Sequence, residues 1–256
     1  MPDLETEVSD GALRVTLNRP EVYNALSAEM ADELAELLED AAVRDDVRVV
    51  VVAGTGPAFS TGADISGAEA HQHFEVSALD RANRIVRAIV DLDKPVVAAV
   101  NGIAAGVGCS AALASDIIVA TESASFMLAF ARIGLMPDGG ATASVAASIG
   151  RARAMRMALL ADPLSAREAY DAGLVTHVTS DADFTATVDK VVSRLAAGPP
   201  LAYAAAKKAI NAATLDGLET ALERERTGQT ILLRTADVAE GMRAFGEKRR
   251  PVFRGE

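Results

Sequence analysis

The chain has 256 residues, enough to bury roughly 70–75% of its unfolded surface without a disulfide or metal staple. Half of the residues are hydrophobic and 24% charged, which excludes general disorder, and 25 basic against 36 acidic residues give a net charge of −11, which disfavours a nucleic-acid partner. A single cysteine, Cys109, excludes a disulfide framework and a cysteine-based zinc site. The acidic start MPDLETEVSD shows no signal peptide, and no apolar run reaches about 18 residues, so the expected setting is cytoplasmic, away from membranes.

Residues 12–17 alternate Leu13, Val15 and Leu17 with polar partners, as a half-buried strand does. After the turn NRPEVYN, Ser27 is placed to cap a helix with Met30, Leu34, Leu37, Leu38 and Ala41 on one face. The run VRVVVVA (47–53) reads as a strand covered on both faces, stopped at Gly54-Thr55-Gly56-Pro57. A helix around 76–92 precedes a strand over 95–100, and Gly102, Gly106 and Gly108 lead into a helix of small residues. Residues 116–120 repeat the strand, and Gly134, Gly139 and Gly140 the turn into a helix, over 139–149. Strand, glycine turn and helix thus recur three times, which predicts a strand–helix spiral or a parallel α/β sheet. Ser165 to Glu168 form a capping box, Gly173 closes that helix, and 174–178 read as a last strand. From 181 the pattern is helical, broken by Gly198-Pro199-Pro200. We divide the chain into a core, 1–195, and a helical region, 196–256.

Several constellations carry little. Gly106, Gly108 and Ala111 match a dinucleotide fingerprint, but Asn101–Ala105 separate them from their strand. Gly108-Cys109-Ser110 is half a nucleophile elbow without its second glycine. His71 and His73 share a face only in a strand, so no metal site is expected. Cys109 reads as a small buried hydrophobe. Two glycine turns after buried strands say more: FSTGADI (59–65) and NGIAAGVGC (101–109). Each can open a helix, whose free amides would form an oxyanion hole if the two converged. Spacing alone favours plain tight turns.

NRPEVYNAL (18–26), FSTGADI (59–65), DKPVVAAVNGIAAGVGCSAALASDIIVA (93–120), IGLMPDGGAT (133–142) and AFGEKRRPVF (244–253) occur in that order. The set resembles the crotonase superfamily, the enoyl-CoA hydratase/isomerase family, over essentially the whole chain. The resemblance implies an α/β spiral of ββα units with a C-terminal helical region that assembles trimers, often paired into hexamers. It implies an acyl-CoA thioester as substrate, with coenzyme A carried by the substrate and no separate cofactor, and a stabilised enolate. The amides of Ala63 and Val107 would form the oxyanion hole, Val107 standing where the family usually has Gly. Ala25, Ser60, Ala63, Asp64 and Ile65 would lie along the CoA moiety, with Phe245 and Lys248 supplied by the C-terminal helix of a neighbouring subunit. The basic run Lys248, Arg249 and Arg250 suits phosphates, though it also suits a helix C-terminus.

A hydratase of this family activates water with two glutamates. At the matching positions this chain has Ser110 and Phe130, and neither is a base near neutral pH. Asp138, in Met-Pro-Asp-Gly-Gly, stands where family isomerases carry their single acid. By spacing alone it reads as a helix N-cap; the resemblance makes it the acid/base of a double-bond shift. Phe126, Phe130 and Met136 are expected to raise its pKa by desolvation. The alternatives are a hydratase with another water activator, Glu122 being the nearest unassigned acid, and a non-catalytic acyl-CoA-binding protein.

Overall fold

A hairpin begins the chain: β1 (Leu4–Ser9) runs antiparallel to β2 (Ala12–Leu17), and Asp10 and Gly11 between them take positive φ. The structure, a computed structural model, describes residues 2–65 and 76–256. His71 and His73 lie outside the described residues. β1 is mostly exposed and shows no apolar period, so only β2 announces itself in the sequence.

Next come α1 (Ala28–Ala41), β3 (Val49–Gly54), β4 (Ala58–Ser60), α2 (Val76–Asp91), β5 (Val96–Val100), β6 (Ile103–Ala105) and α3 (Gly106–Ala114). They are followed by β7 (Ile117–Thr121), β8 (Ser125–Met127), α4 (Ala141–Leu160), β9 (Leu164–Ser165), α5 (Ala166–Ala172), β10 (His177–Thr179) and α6 (Phe184–Ala196). One sheet has the order β1-β2-β3-β5-β7-β10 and the other β4-β6-β8-β9. After the β1–β2 hairpin and α1, three successive circuits, β3-β4-α2, β5-β6-α3 and β7-β8-α4, lay one strand in the large sheet, the next in the small sheet, then a helix. This is the expected spiral of ββα units. Three-residue β4 and β6 sit beside glycine turns, and these two and the equally short β8 show no period, which is why each circuit reads as a single strand. The residues separating the Gly106 turn from β5 include β6.

The β-branched runs lack alternation because both faces of the large sheet are covered. Val50, Val52, Ala98, Val100, Ile118 and Ala120 join the main core, which includes the buried faces of α1 and α2. Their neighbours Val49, Val51, Val97, Ala99 and Val119 meet Val188 and Val192 of α6. Ser27 caps α1 as expected, its Oγ accepting the Met30 N–H at 3.2 Å. The capping box of Ser165 and Glu168 and the left-handed Gly173 bound α5. The last strand is shorter than its sequence suggests, and Gly150 (φ 77°, ψ 159°) breaks α4 in two.

The C-terminal helices are α7 (Pro200–Thr214), α8 (Leu218–Leu232) and α9 (Ala236–Gly246). α8 packs on α2 and α4, and α9 on the 3-10 turn Ala129–Ile133. Among the described residues, no helix is long and apolar enough to cross a membrane.

Candidate active site

Two backbone segments meet at the first candidate feature. Ala63 bridges Leu26 in parallel, through the Leu26 amide to Gly62 O and the Asp64 amide to Leu26 O. That ladder leaves the Ala63 N–H on the opposite side of the strand. Val107 is the second residue of α3, so its amide is one of the donors a helix start leaves without an internal acceptor. A Cβ on Gly62 (φ 91°) would stand 2.8 Å from Val107 N, and one on Gly108 2.6 Å from Ser60 O. These glycines therefore do more than turn the chain: they let the two amide-bearing segments touch.

Ala63 and Val107 both line an apolar cavity of about 410 Å³, together with Asp138. Ala25, Asp64 and Ile65 line it as well. Asp64 is paired with Arg19 at 3.0 Å, and Arg19 also donates to Ala25 O at 2.7 Å. One assignment needs correction. Ser60 is fully buried; its Oγ donates to Asn24 O (2.8 Å) and accepts the Gly62 N–H (3.1 Å), so it braces the turn and cannot face a ligand. Phe245, assigned to a neighbouring subunit, lines the cavity of its own chain. Lys248 is exposed with φ 54° and does not line the cavity, and its neighbour Arg249 is engaged by Glu240 and Glu247, so the basic run is not one free patch.

Asp138 is 4% exposed, and its pKa is pushed up to about 7. Burial is the main cause; the Gln229 hydrogen bond lowers it, and the nearby Glu225 carboxyl raises it. Of the expected aromatic neighbours, Phe130 shares the cavity, whereas Phe126 is fully buried outside its lining. Asp138 does not cap α4. The N-cap is Gly140, and the amides of Gly140 and Thr142 donate to Glu225 of α8, at 2.7 and 2.9 Å. Asp138 Oδ2 accepts the Gln229 amide at 2.8 Å, and Oδ1 is itself buried and has no hydrogen-bond partner.

Ser110 Oγ donates to the Asp138 main-chain carbonyl at 2.8 Å, so the residue in the first glutamate position supports the loop. Glu122 is exposed just past β7 and does not line the cavity. Burial pushes the Cys109 thiol up to about 12, which leaves it inert. Sequence reasoning missed Glu225 and Gln229, which resemble a solvated helix face, and Asn24. Asn24 (φ 55°) is fully buried, its side chain donating to Thr55 O and Ala58 O and accepting the Arg19 N–H. An asparagine beside a proline turn, tolerant of the left-handed region, was the available signal.

Two main-chain segments that touch each other and one buried carboxyl thus share an apolar cavity. The chain belongs to the enoyl-CoA hydratase/isomerase family, whose model matches residues 7–256. A probable enoyl-CoA hydratase of Rhodobacter capsulatus is 43% identical over 97% of this chain and 96% of its own. The 1,2-epoxyphenylacetyl-CoA isomerase of Escherichia coli K12 is 38% identical over 98% of each chain. The crystal structure of an enoyl-CoA hydratase from Mycobacterium avium subsp. paratuberculosis superposes with a TM-score of 0.93, at 49% identity over 99% of both chains. Both family activities are thus represented among close relatives.

Proposed function

We propose that the protein is an acyl-CoA isomerase that shifts a double bond in a 3-enoyl-CoA or a related unsaturated or cyclic CoA ester. The observation that carries this reading is the single available carboxyl among the described residues. Among the described residues, the charged ones lining the cavity are Asp64, Arg132 and Asp138. Asp64 is tied to Arg19, and Arg132 donates to Ala161 O at 2.9 Å. Asp138 keeps an oxygen without a partner and a pKa near 7, where it can both take and return a proton at neutral pH.

Asp138 removes the proton at C2, beside the thioester carbonyl. Charge moves onto the thioester oxygen, where the Ala63 and Val107 amides donate to it. Such a donor is typically worth ~2.7–4 kcal/mol in the transition state. The protonated carboxyl then returns the proton at C4. One carboxyl serves both transfers because both occur on the same face of the dienolate. Ala25, Ala63, Asp64, Ile65 and Phe245 lie along the CoA thioester, and Lys248 is kept as a phosphate contact outside the cavity. The substrate brings the coenzyme, so no separate cofactor takes part. Region 196–256 is assigned to assembly as a homotrimer or a dimer of trimers, in addition to its contribution to the site.

A parallel assay of 2-enoyl-, 3-enoyl- and saturated acyl-CoA tests the reading. Conversion of the 3-enoyl ester without hydration of the 2-enoyl ester is expected. Hydration as the main turnover would make the protein a hydratase despite Ser110 and Phe130. Binding of all three esters without turnover would make it a carrier.

A further inference from the structure

α8 presents two polar side chains one helical turn apart, Glu225 and Gln229, each 1% exposed, to the loop that carries Asp138. The Gln229 amide is fully committed. Its Oε1 accepts the Met136 N–H (3.2 Å), and its Nε2 donates to Met136 O and to Asp138 Oδ2, both at 2.8 Å. A planar amide held at both ends cannot turn without breaking its Met136 bonds, so the Oδ2 contact is fixed in direction. Glu225 accepts the amides of Gly140 and Thr142 and the Thr142 hydroxyl, at the free donors of the first turn of α4. The segment Met136–Thr142, with Asp138 near its middle, is therefore gripped from both sides by one helix face. Apolar side chains would fill the same space without the cost of burying an amide and a carboxyl. What the polar pair adds, besides satisfying loop amides, is a fixed carboxyl orientation.

We propose that Gln229 and Glu225 are positioning residues for Asp138: Gln229 engages Oδ2 so that Oδ1 is the oxygen offered to substrate, and Glu225 anchors the following turn while placing a second acidic group beside it. This rests on the reading of Asp138 as the acid/base. The two residues act on the carboxyl with opposite sign, since the Gln229 N–H favours its charged form and Glu225 disfavours it. Among the described residues, the other elements around Asp138 bring little competing charge. Ser110 of α3 touches its carbonyl, Val86 of α2 lies beside Gly139, and Phe130 and Met136 are uncharged. Asp64 and Arg132 line the same cavity, with Arg19 and the Ala161 carbonyl as partners.

The test uses the full chain with Gln229→Met and Glu225→Gln. The Asp138 titration midpoint is read by carboxyl infrared difference spectra against Asp138→Asn, beside pH profiles of kcat and KM for a 3-enoyl-CoA. Gln229→Met should raise the midpoint and lower kcat by roughly 10- to 100-fold at nearly constant KM, the scale expected of a misaimed group. Glu225→Gln should lower the midpoint. A purely structural role would move neither in this way. Unmoved midpoints, or shifts of the same sign, in folded variants overturn the proposal; should Gln229→Met fail to fold, the sign for Glu225→Gln decides it. Opposed shifts in a protein that turns over no 3-enoyl-CoA would sustain the clamp and sink the acid/base reading. Normal isomerisation with unmoved midpoints would do the reverse.

Discussion

The proposed reaction rests on one buried group, Asp138, and its environment sets the sign of two separate effects. The folded chain holds its proton to a higher pH than an unfolded aspartate does, since the folded-state pKa is about 7. The contribution of Asp138 to stability is therefore fully present below the ordinary aspartate pKa of about 4, is lost as pH rises towards 7, and stays flat above. Asp138→Asn removes that loss. The variant should melt higher relative to wild type as pH is raised from about 4 to about 7, measured by calorimetry across that range. No cap is lost, because the first amides of α4 belong to Glu225. Isomerisation by the same variant should fall ~10²–10⁴-fold, while acyl-CoA affinity is kept by main-chain donors. Normal turnover with a lower melting temperature at every pH would leave Asp138 a structural residue only. The sequence carried Asp138, Ala63 and Val107 through ordered motifs, but it could not carry Gln229 and Glu225. Their partners are remote in the chain, and a pair of polar residues at i and i+4 looks the same whether it faces water or a buried loop.

The helix α3 shows how an element can be all packing and still serve a site. Eight of its residues, from Gly106 to Leu113, are buried, and its start abuts the turn that carries Ala63. Only small residues allow that approach. Gly108→Ala places a Cβ 2.6 Å from the Ser60 carbonyl and close to the Ser60 side chain, both of which are buried. We expect a loss of about 1–3 kcal/mol in unfolding free energy, as for other overpacked sites. Because the strain falls between the two amide donors, kcat should drop more than acyl-CoA affinity. Chemical denaturation beside steady-state kinetics checks both; an unchanged kcat in a destabilised variant would separate the packing from the hole. At this scale the large sheet was legible, since β3, β5 and β7 are continuous apolar runs closed by turns. The small sheet was not, because three-residue strands such as β6 leave no pattern and owe their existence to register with neighbouring strands.

For the whole molecule, the question is whether one chain completes its own site. Asp138, Ala63, Val107 and Phe245 line a single cavity of a single chain, with Phe245 on α9 still 60% exposed at the cavity's edge. The resemblance had placed Phe245 across a subunit boundary, and no sequence pattern distinguishes the two arrangements, because a helix that folds back on its core and one that reaches a neighbour have the same apolar face. Subunit mixing distinguishes them. Asp138→Asn lacks the base but keeps Phe245; Phe245→Ala keeps the base and loses part of an apolar wall, which should raise KM by roughly fivefold, or about 1 kcal/mol. If each chain builds its own site, co-refolded mixtures contain no complete site, and their kinetics are the sum of the two parents at every ratio. If Phe245 crosses to a neighbour, an Asp138→Asn subunit lends its ring to a Phe245→Ala subunit, and a fraction with wild-type KM appears, largest near equal mixing. The structure calls for the first result, and the second would return Phe245 to the neighbouring subunit.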